Sequence, residues 1–325
     1  MNNGATQGTK WFLVVNPISG SGKGLDDFPL ISKLLRDNDI SCEAVFTEHK
    51  HHATELTVSA ITSGYRHIMV AGGDGTLHEV INGLFIQKCV NTSEVTIAVI
   101  PVGTGNDWIR MYGLPTRYSA VIRAIKEGYT FLQDVAAVEY EESRYRQTRY
   151  MANVAGVGFD AAVIKRGQTM NGNDKKKKGA GFYIRALINT FFRYKPTGVK
   201  IWVDDRLMYN NLLFSLAMGV GKYNGGGIQQ LPQSVADDGL LDVTLIKPIH
   251  WWHVVFRLRR FFNGEIYSIG HVQHLQGSKI RIESSPEIDL EIDGELHGGT
   301  PVELRVLHRA VKVIVNKSFI DKLKA

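Results

Sequence analysis

The 325-residue chain reads as an α/β domain followed by an all-β domain. Three observations lead there. Up to about residue 134, apolar runs alternate with helically spaced segments. Beyond it, short strand-like runs follow one another with few helices between them. In the first part, three glycine-rich polar loops each come directly after an apolar run.

The elements of the first part can be justified in turn. Lys10 to Asn16 is a strand, with Trp11 to Val15 all apolar, and it breaks at "NPISGSGKG". Phe28 to Asn38 has helical spacing through Phe28, Leu30, Ile31, Leu34 and Leu35. "SCEAVFT" is the next strand. "HHATELTVSAIT" is a helix whose apolar side is Ala53, Leu56, Val58 and Ile61. "RHIMVAGG" is a third strand. Leu77, Val80, Ile81, Leu84 and Phe85 then form a helical stripe. "VTIAVIPVG" is a fourth strand, and "RYSAVIRAIKEG" a helix stopped by Gly128. Nearly all-apolar strands alternating with helices predict a parallel sheet covered on both faces.

From Asp134 on, the strand-like runs are "FLQDVAAVEY", "TRYMANVAGVGF", "GVKIWVDDRLMY", "NLLFSLAMGV", "GLLDVTLIK", "SKIRIES", "EIDLEIDGE" and "VELRVLHRAVKVIV". Only two helices are expected among them, at 181–192 and 249–262. The predicted division is 1–134 and 135–325, the last strand returning toward the first domain. No internal repeat is found.

A net charge of +6 is a mild pointer to an acidic partner such as a nucleotide or an anionic lipid surface. The densest charge, Lys175 to Lys178, is a solvated loop or a lipid-headgroup contact. Cys42 and Cys89 make no disulfide framework, and the N-terminus lacks signal-peptide features. The expected location is cytoplasmic, with any membrane contact peripheral, at the inner face.

The loop Gly72–Gly73–Asp74–Gly75–Thr76 follows a strand and opens a helix. A helix start offers unpaired N–H groups and the positive end of the dipole, and glycine lets a ligand come close. Together these suit phosphate. A tight turn with Asp74 as polar cap is the structural alternative. "NPISGSGKG" and "PVGTGNDW" occupy equivalent places after other strands, and in a parallel sheet such loops share one edge. The Walker A and dinucleotide patterns both fail: Pro17 and Gly24 stand where the first needs Gly and Ser/Thr, and Leu25 stands where the second needs Gly.

"GGDGTLHEVINGL", with "NPISG" before it and "PVGTGND" after it, resembles the diacylglycerol kinase catalytic-domain family, which includes soluble bacterial lipid kinases and the sphingosine and ceramide kinases. "GGGIQQLPQSVADDGLLDVTLI" and "IDGE" continue the match in order, so the resemblance runs from Val14 to Val315. It implies an N-terminal α/β domain like that of phosphofructokinases and NAD kinases, and a C-terminal antiparallel β-sandwich. It also implies ATP and Mg²⁺. Nucleotide contacts carried over are Asn16, Thr47, Gly72, Gly73, Asp74, Gly75, Thr76, Glu79 and Thr104, with Asn106 and Asp107 positioning the loop or the acceptor.

A kinase needs a cation for the phosphates and a group to take the hydroxyl proton. A carboxylate beside phosphates, Asp74, calls for a bridging cation. "EIDLEIDGE" places Asp289, Glu291, Asp293 and Glu295 at period two, opposite Ile288, Leu290 and Ile292. A half-buried strand with a solvated acidic side is the structural alternative. By resemblance, Glu295 is the general base, with Asp293 supporting or orienting Mg²⁺. In the sphingosine kinase branch the residue matching Asp74 is discussed as the base, so both remain open. The resemblance also gives a structural Mg²⁺ at Asp238 with the carbonyls of Val235 and Leu240. An Asp-Asp-Gly hairpin turn is compatible with it. His49, His51 and His52 look like a metal cluster but lack a Cys or carboxylate partner at ligand spacing.

"IHWWHVVFRLRRFFNGE" is either a buried linking helix or an interfacial one with its arginines toward headgroups. The expected activity is phosphorylation of a lipid hydroxyl, most readily that of diacylglycerol. Alternatives are a sphingoid base, ceramide, phosphatidylglycerol or NAD as acceptor, or a non-catalytic nucleotide- or lipid-binding regulator. Expected partners are ATP, a lipid at a membrane surface and, as an option, a second copy of the chain; nucleic acid is not among them.

Overall fold

Trp11–Val15 (β1) and Thr96–Pro101 (β4) are buried at every position, as strands covered on both faces must be. They belong to a computed structural model that describes residues 10–171, 189–250, 257 and 259–324. The chain divides into two compact units. Residues 1–134 and 309–325 form the first, and Val135–His308 the second.

The first unit also contains Phe28–Asp37 (α1), Cys42–Phe46 (β2), His52–Thr62 (α2), His67–Gly72 (β3), Asp74–Ile86 (α3), Asp107–Met111 (α4) and Tyr118–Glu127 (α5), with further short helices at Lys23–Asp26 and Lys317–Lys324. The strands are parallel in the order β4-β3-β1-β2, and Lys312–Val313 from the end of the chain pair parallel with Thr96–Ile97. All four strands and all four helices read from periodicity are present. The short helix α4 was not anticipated. Gly128 ends α5 in the left-handed conformation (φ 70°), a common helix stop. α2 buries Ala53, Thr57, Ala60 and Ile61, while the predicted Leu56 and Val58 are only half-buried. Its contact face is set by α3. A Cβ on Gly83 would stand 2.6 Å from the Thr54 carbonyl, so α2 lies too close for any side chain there.

The second unit is antiparallel. Its strands are Thr130–Glu142 (β5, from Val135 on), Tyr145–Met151 (β6), Val154–Gly158 (β7), Thr197–Val203 (β8), Arg206–Leu213 (β9), Ser215–Gly219 (β10), Leu241–Ile246 (β11), Val272–Gly277 (β12), Lys279–Ser285 (β13), Asp289–Ile292 (β14) and Glu295–Ile314 (β15). The last runs out of this unit at His308. One series of neighbours is β12-β11-β10-β7-β14-β15; β13 pairs with β15 and β8, β8 with β9, and β5 with β6. Val138, Val157, Leu216, Met218, Val243, Ile280, Ile282, Leu290 and Leu304 are all buried in one core cluster.

Three expectations need correcting here. "TRYMANVAGVGF" and "GVKIWVDDRLMY" are each two strands, the second split by a turn at Asp204 and Asp205 (φ 47° and 65°). Phe159–Asn171 is a helix (α6) where none was expected. The mostly polar β12 was missed altogether. Lys175–Lys178, Trp251, Trp252 and most of the two expected helices at 181–192 and 249–262 lie outside the described residues. Of the arginines proposed to face headgroups, Arg260 donates to the Ser268 carbonyl and hydroxyl at 3.3 and 3.0 Å. Among the described residues, no helix is long and apolar enough to cross a membrane.

Candidate active site

At the carboxyl edge of the parallel sheet, the three glycine loops are packed backbone against backbone. A Cβ on Gly20 would meet the Val102 carbonyl oxygen at 2.2 Å, and one on Gly103 would meet the Gly73 Cα at 2.5 Å. Gly24 approaches the Asn16 carbonyl in the same way, at 1.9 Å. The loop after β1 thus touches the loop after β4, which touches the loop after β3. Hydrogen bonds tie them further. Val102 and Gly103 N–H donate to the Gly72 carbonyl at 3.0 and 3.2 Å, and Asn16 Nδ2 donates to Thr76 Oγ1 at 2.9 Å.

Gly73 is extended (φ −106°, ψ −171°) and delivers the chain into α3, a 13-residue helix that starts at Asp74. Gly75 and Thr76 lie in its first turn, and Thr104 lies in the loop that faces Gly73. Asp74 points across to that loop: its Oδ2 and Oδ1 accept the N–H groups of Asp107 and Trp108 at 3.2 and 3.3 Å. The carboxylate therefore holds the start of α4, a role that sequence reasoning did not foresee. Asn106, left-handed at φ 51°, closes the same loop by donating Nδ2 to the Gly103 carbonyl at 2.7 Å. Asp107 is buried, 3.5 Å from the Arg110 guanidinium.

Glu79 has a structural use. Its two oxygens accept the N–H groups of His51 and Ala53 at 3.0 and 3.1 Å, so it caps α2 from α3. Thr47 follows β2, its N–H donated to the Val15 carbonyl at 2.8 Å. The histidine cluster does gain a carboxylate, contrary to expectation: Glu55 Oε2 lies 3.9 Å from His49 Nε2. The His49 and His52 rings are stacked within 10° of parallel, so their lone pairs do not converge. His52 Nδ1 also accepts the Glu48 N–H, which puts a neutral ring's proton on Nε2.

In the second unit, Asp293 and Gly294 form a two-residue turn, both left-handed (φ 48° and 86°), that joins β14 to β15. This is the hairpin geometry for which Asp-Gly is suited. Asp293 Oδ1 accepts the N–H groups of Asn153 and Val154, and Oδ2 that of Ala152, all at 3.0–3.1 Å. Glu295 follows the turn, half-buried and opposite Ile292. The solvated acidic side imagined for this segment is absent at Glu291. It is 0% exposed, because α6 packs on β14 with Asp160 beside Glu291, and Asn224 of the 224–230 loop bonds to it. Burial, followed by the charge of Asp160, pushes Glu291 up to about 8; burial pushes Asp160 up to about 6. Sequence reasoning passed over Asp160. Gly156 was the available signal: a glycine inside a strand marks a close approach, and its Cβ would meet Glu291 Oε1 at 2.8 Å.

Asp238 sits in the Asp-Asp-Gly turn, with Gly239 at φ 77°, and its Oδ1 accepts the Leu240 N–H at 3.0 Å. Val235 is exposed. Nearby, the fully buried Asp242 is bonded through Oδ1 to His274 Nε2 at 2.6 Å; burial raises its pKa and His274 opposes the rise. The buried Ser234 hydroxyl also faces Asp242 and, like His274, opposes the rise. The donors at this turn are hard oxygens, the kind preferred by Mg²⁺ and Ca²⁺.

Residues 10–138 match the family model of the diacylglycerol kinase catalytic domain. Residues 153–315 match that of the YegS C-terminal NAD kinase β-sandwich-like domain. The chain belongs to the diacylglycerol kinase catalytic-domain family. It is 24% identical to a diacylglycerol kinase of Mycobacterium tuberculosis (strain CDC 1551 / Oshkosh) over 302 residues, 93% of each chain. It is 26% identical to one of Bacillus subtilis (strain 168) over 277 residues, 83% of this chain and 84% of that one. A crystal structure of a diacylglycerol kinase from Bacillus anthracis strain Sterne shares the fold, with TM-score 0.69 at 23% identity, covering 95% of this chain and 98% of that one. Membership makes the chain a kinase and implies ATP and a divalent metal ion.

Proposed function

We propose that this protein is an ATP- and Mg²⁺-dependent lipid kinase that phosphorylates the free hydroxyl of diacylglycerol. The observation that carries the nucleotide half is the backbone-on-backbone packing of Gly20, Gly73 and Gly103 at the start of α3. It locks the three loops against one another, which supports main-chain N–H groups held in fixed positions for phosphate oxygens. The names of the full-length relatives support the acceptor.

On this reading, the glycine loops hold the ATP phosphates, with Asn16, Thr76 and Thr104 around them. Asp74 would serve the bound metal as well as α4. Asp238, with the Val235 and Leu240 carbonyls, would hold a structural Mg²⁺. Bound Mg²⁺ supplies charge neutralisation of the phosphates. Glu295 takes the proton of the lipid hydroxyl as its oxygen bonds to the γ-phosphorus. The bond from that phosphorus to the β–γ bridging oxygen breaks, and ADP and phosphatidic acid leave.

Two measurements test this. Radiolabelled ATP with Mg²⁺ is offered to micelles of diacylglycerol, ceramide, a sphingoid base or phosphatidylglycerol, and to NAD. Label in phosphatidic acid is expected; label only in another product refutes the acceptor. Glu295→Gln should lower kcat by about 10²–10⁴-fold, the usual worth of a general base, while ATP still binds. Activity near that of the unaltered enzyme would refute the assignment.

A further inference from the structure

The hairpin that presents Glu295 is open at its tip. Nothing lies within 4 Å of where a Gly294 Cβ would stand. Hydrogen bonds hold it: the Asp293 N–H donates to the Val154 carbonyl at 2.9 Å, and two carboxylates add to this. From one side, Asp293 takes three main-chain N–H groups of residues 152–154. From the other, Glu291 Oε2 accepts the Gly294 N–H at 2.9 Å. Glu291 Oε1 in turn accepts Asn224 Nδ2 at 3.3 Å. Asn224 also donates to Gln230 Oε1 at 3.0 Å and accepts the Gly225 N–H at 2.8 Å, and Gln230 Nε2 donates to Asp160 Oδ2 at 3.0 Å. The glycine-rich 224–230 loop and the 293–295 hairpin therefore share one buried polar network with Glu291 at its centre.

A carboxylate buried under α6 and the 224–230 loop is costly. The groups acting on this one are the Gly294 amide, Asn224 and two further acids, Asp160 and Asp293, so it is not kept for an ion pair. Both of its oxygens face donors. Because the Gly294 amide is one residue from Glu295, a small rotation of that peptide swings the Glu295 side chain. Proton transfer tolerates little of that, since the base must stay within hydrogen-bond reach of the hydroxyl.

We infer that Glu291 is a positioning residue: by holding the Gly294 N–H it fixes the direction of Glu295. The inference rests on the reading of Glu295 as the base. It predicts that an oxygen acceptor, rather than a charge, is what the position needs.

The test uses the full chain with ATP, Mg²⁺ and diacylglycerol in mixed micelles. Glu291→Gln keeps an acceptor for Gly294 and should hold kcat within about threefold of the unaltered enzyme. Glu291→Leu should lower kcat by about 10–100-fold, as expected for a misplacement near 1 Å, with the KM for ATP unchanged. Hydrogen exchange at the Gly294 amide should be at least about tenfold faster in the Leu variant. A folded Glu291→Leu with normal kcat overturns the inference, as does unchanged Gly294 exchange or a Gln variant as impaired as the Leu one. Should Glu291→Leu not fold, Asn224→Ala, which removes the other bond to the carboxylate, should lower kcat several-fold at constant KM for ATP; normal kcat there overturns the inference equally. Full activity in Glu295→Gln would sink the base assignment, and Gly294 exchange then decides by itself whether Glu291 holds the turn.

Discussion

Gly103→Ala puts a methyl group where the loop after β4 meets the loop after β3. The new Cβ would stand 2.5 Å from the Gly73 Cα and 3.3 Å from its nitrogen, with Asn106 Oδ1 at 3.1 Å on the other side. Carbon atoms in contact sit at about 3.5–4.0 Å, so the two backbones must part by about 1 Å. No side chain can rotate to absorb this, since the principal neighbour is itself a glycine main chain. The overpacking costs about 1–3 kcal/mol of stability. The larger effect is functional. A shift of about 1 Å in groups that position reacting atoms costs on the order of 10²-fold in rate, so kcat/KM for ATP should fall by about that factor. ADP release in diacylglycerol micelles measures the rate, and a thermal melt confirms that the variant is folded. Gly198→Ala is the control: its Cβ would meet nothing within 4 Å, and activity should stay within about twofold. A folded Gly103→Ala with normal kcat/KM for ATP would refute the packed-loop account of nucleotide binding.

Glu79→Ala strands the His51 and Ala53 amides at the start of α2 and should cost about 1–2 kcal/mol, a typical loss for a helix cap. An unchanged urea midpoint without nucleotide would show that the cap contributes nothing. Glu291, raised from 4.5 to about 8, keeps its proton in the folded protein at pH values where the unfolded chain has lost it. Stability should therefore fall as pH rises from about 4.5 toward 8, by at most about 1.4 kcal/mol per unit, and Glu291→Gln should flatten that slope. Urea melts at pH 5, 6.5 and 8 measure it; an identical slope in the variant refutes the assignment.

The first unit was legible because parallel strands covered on both faces are written as unbroken apolar runs, and β1, β3 and β4 are such runs. The second unit was less so, for identifiable reasons. The turn between β8 and β9 carries no glycine; Asp204 and Asp205 adopt the left-handed conformation instead, which acidic side chains tolerate. In α6, Asp160, Lys165, Arg166 and Gly167 blur the apolar stripe, and the helix follows a glycine-containing strand directly. At the site, the glycine loops and the Asp-Asp-Gly turn at Asp238 could be read, because their geometry demands those residues, whereas the turn at Asp293 and Gly294 lies within what reads as one strand. The burial of Glu291 could not. Period-two alternation describes a strand with one wet face, and nothing local reveals that α6 and the 224–230 loop cover that face of β14.

The carboxylates that mark this family in the sequence turn out to be acceptors for main-chain amides. Asp74 holds Asp107 and Trp108; Asp293 holds residues 152–154. Loss of activity on truncating either one is therefore predicted by anchoring alone, before any part in metal binding. The two roles separate in Asp74→Asn. An amide keeps one oxygen for one N–H and turns a donor toward the other, so half the anchor survives while the whole charge is lost. If anchoring is the main role, ATP affinity and hydrogen exchange at the Asp107 and Trp108 amides should change together, and the Mg²⁺ concentration for half-maximal rate should not move. If the charge meets the metal, that concentration should rise even where the amides stay protected.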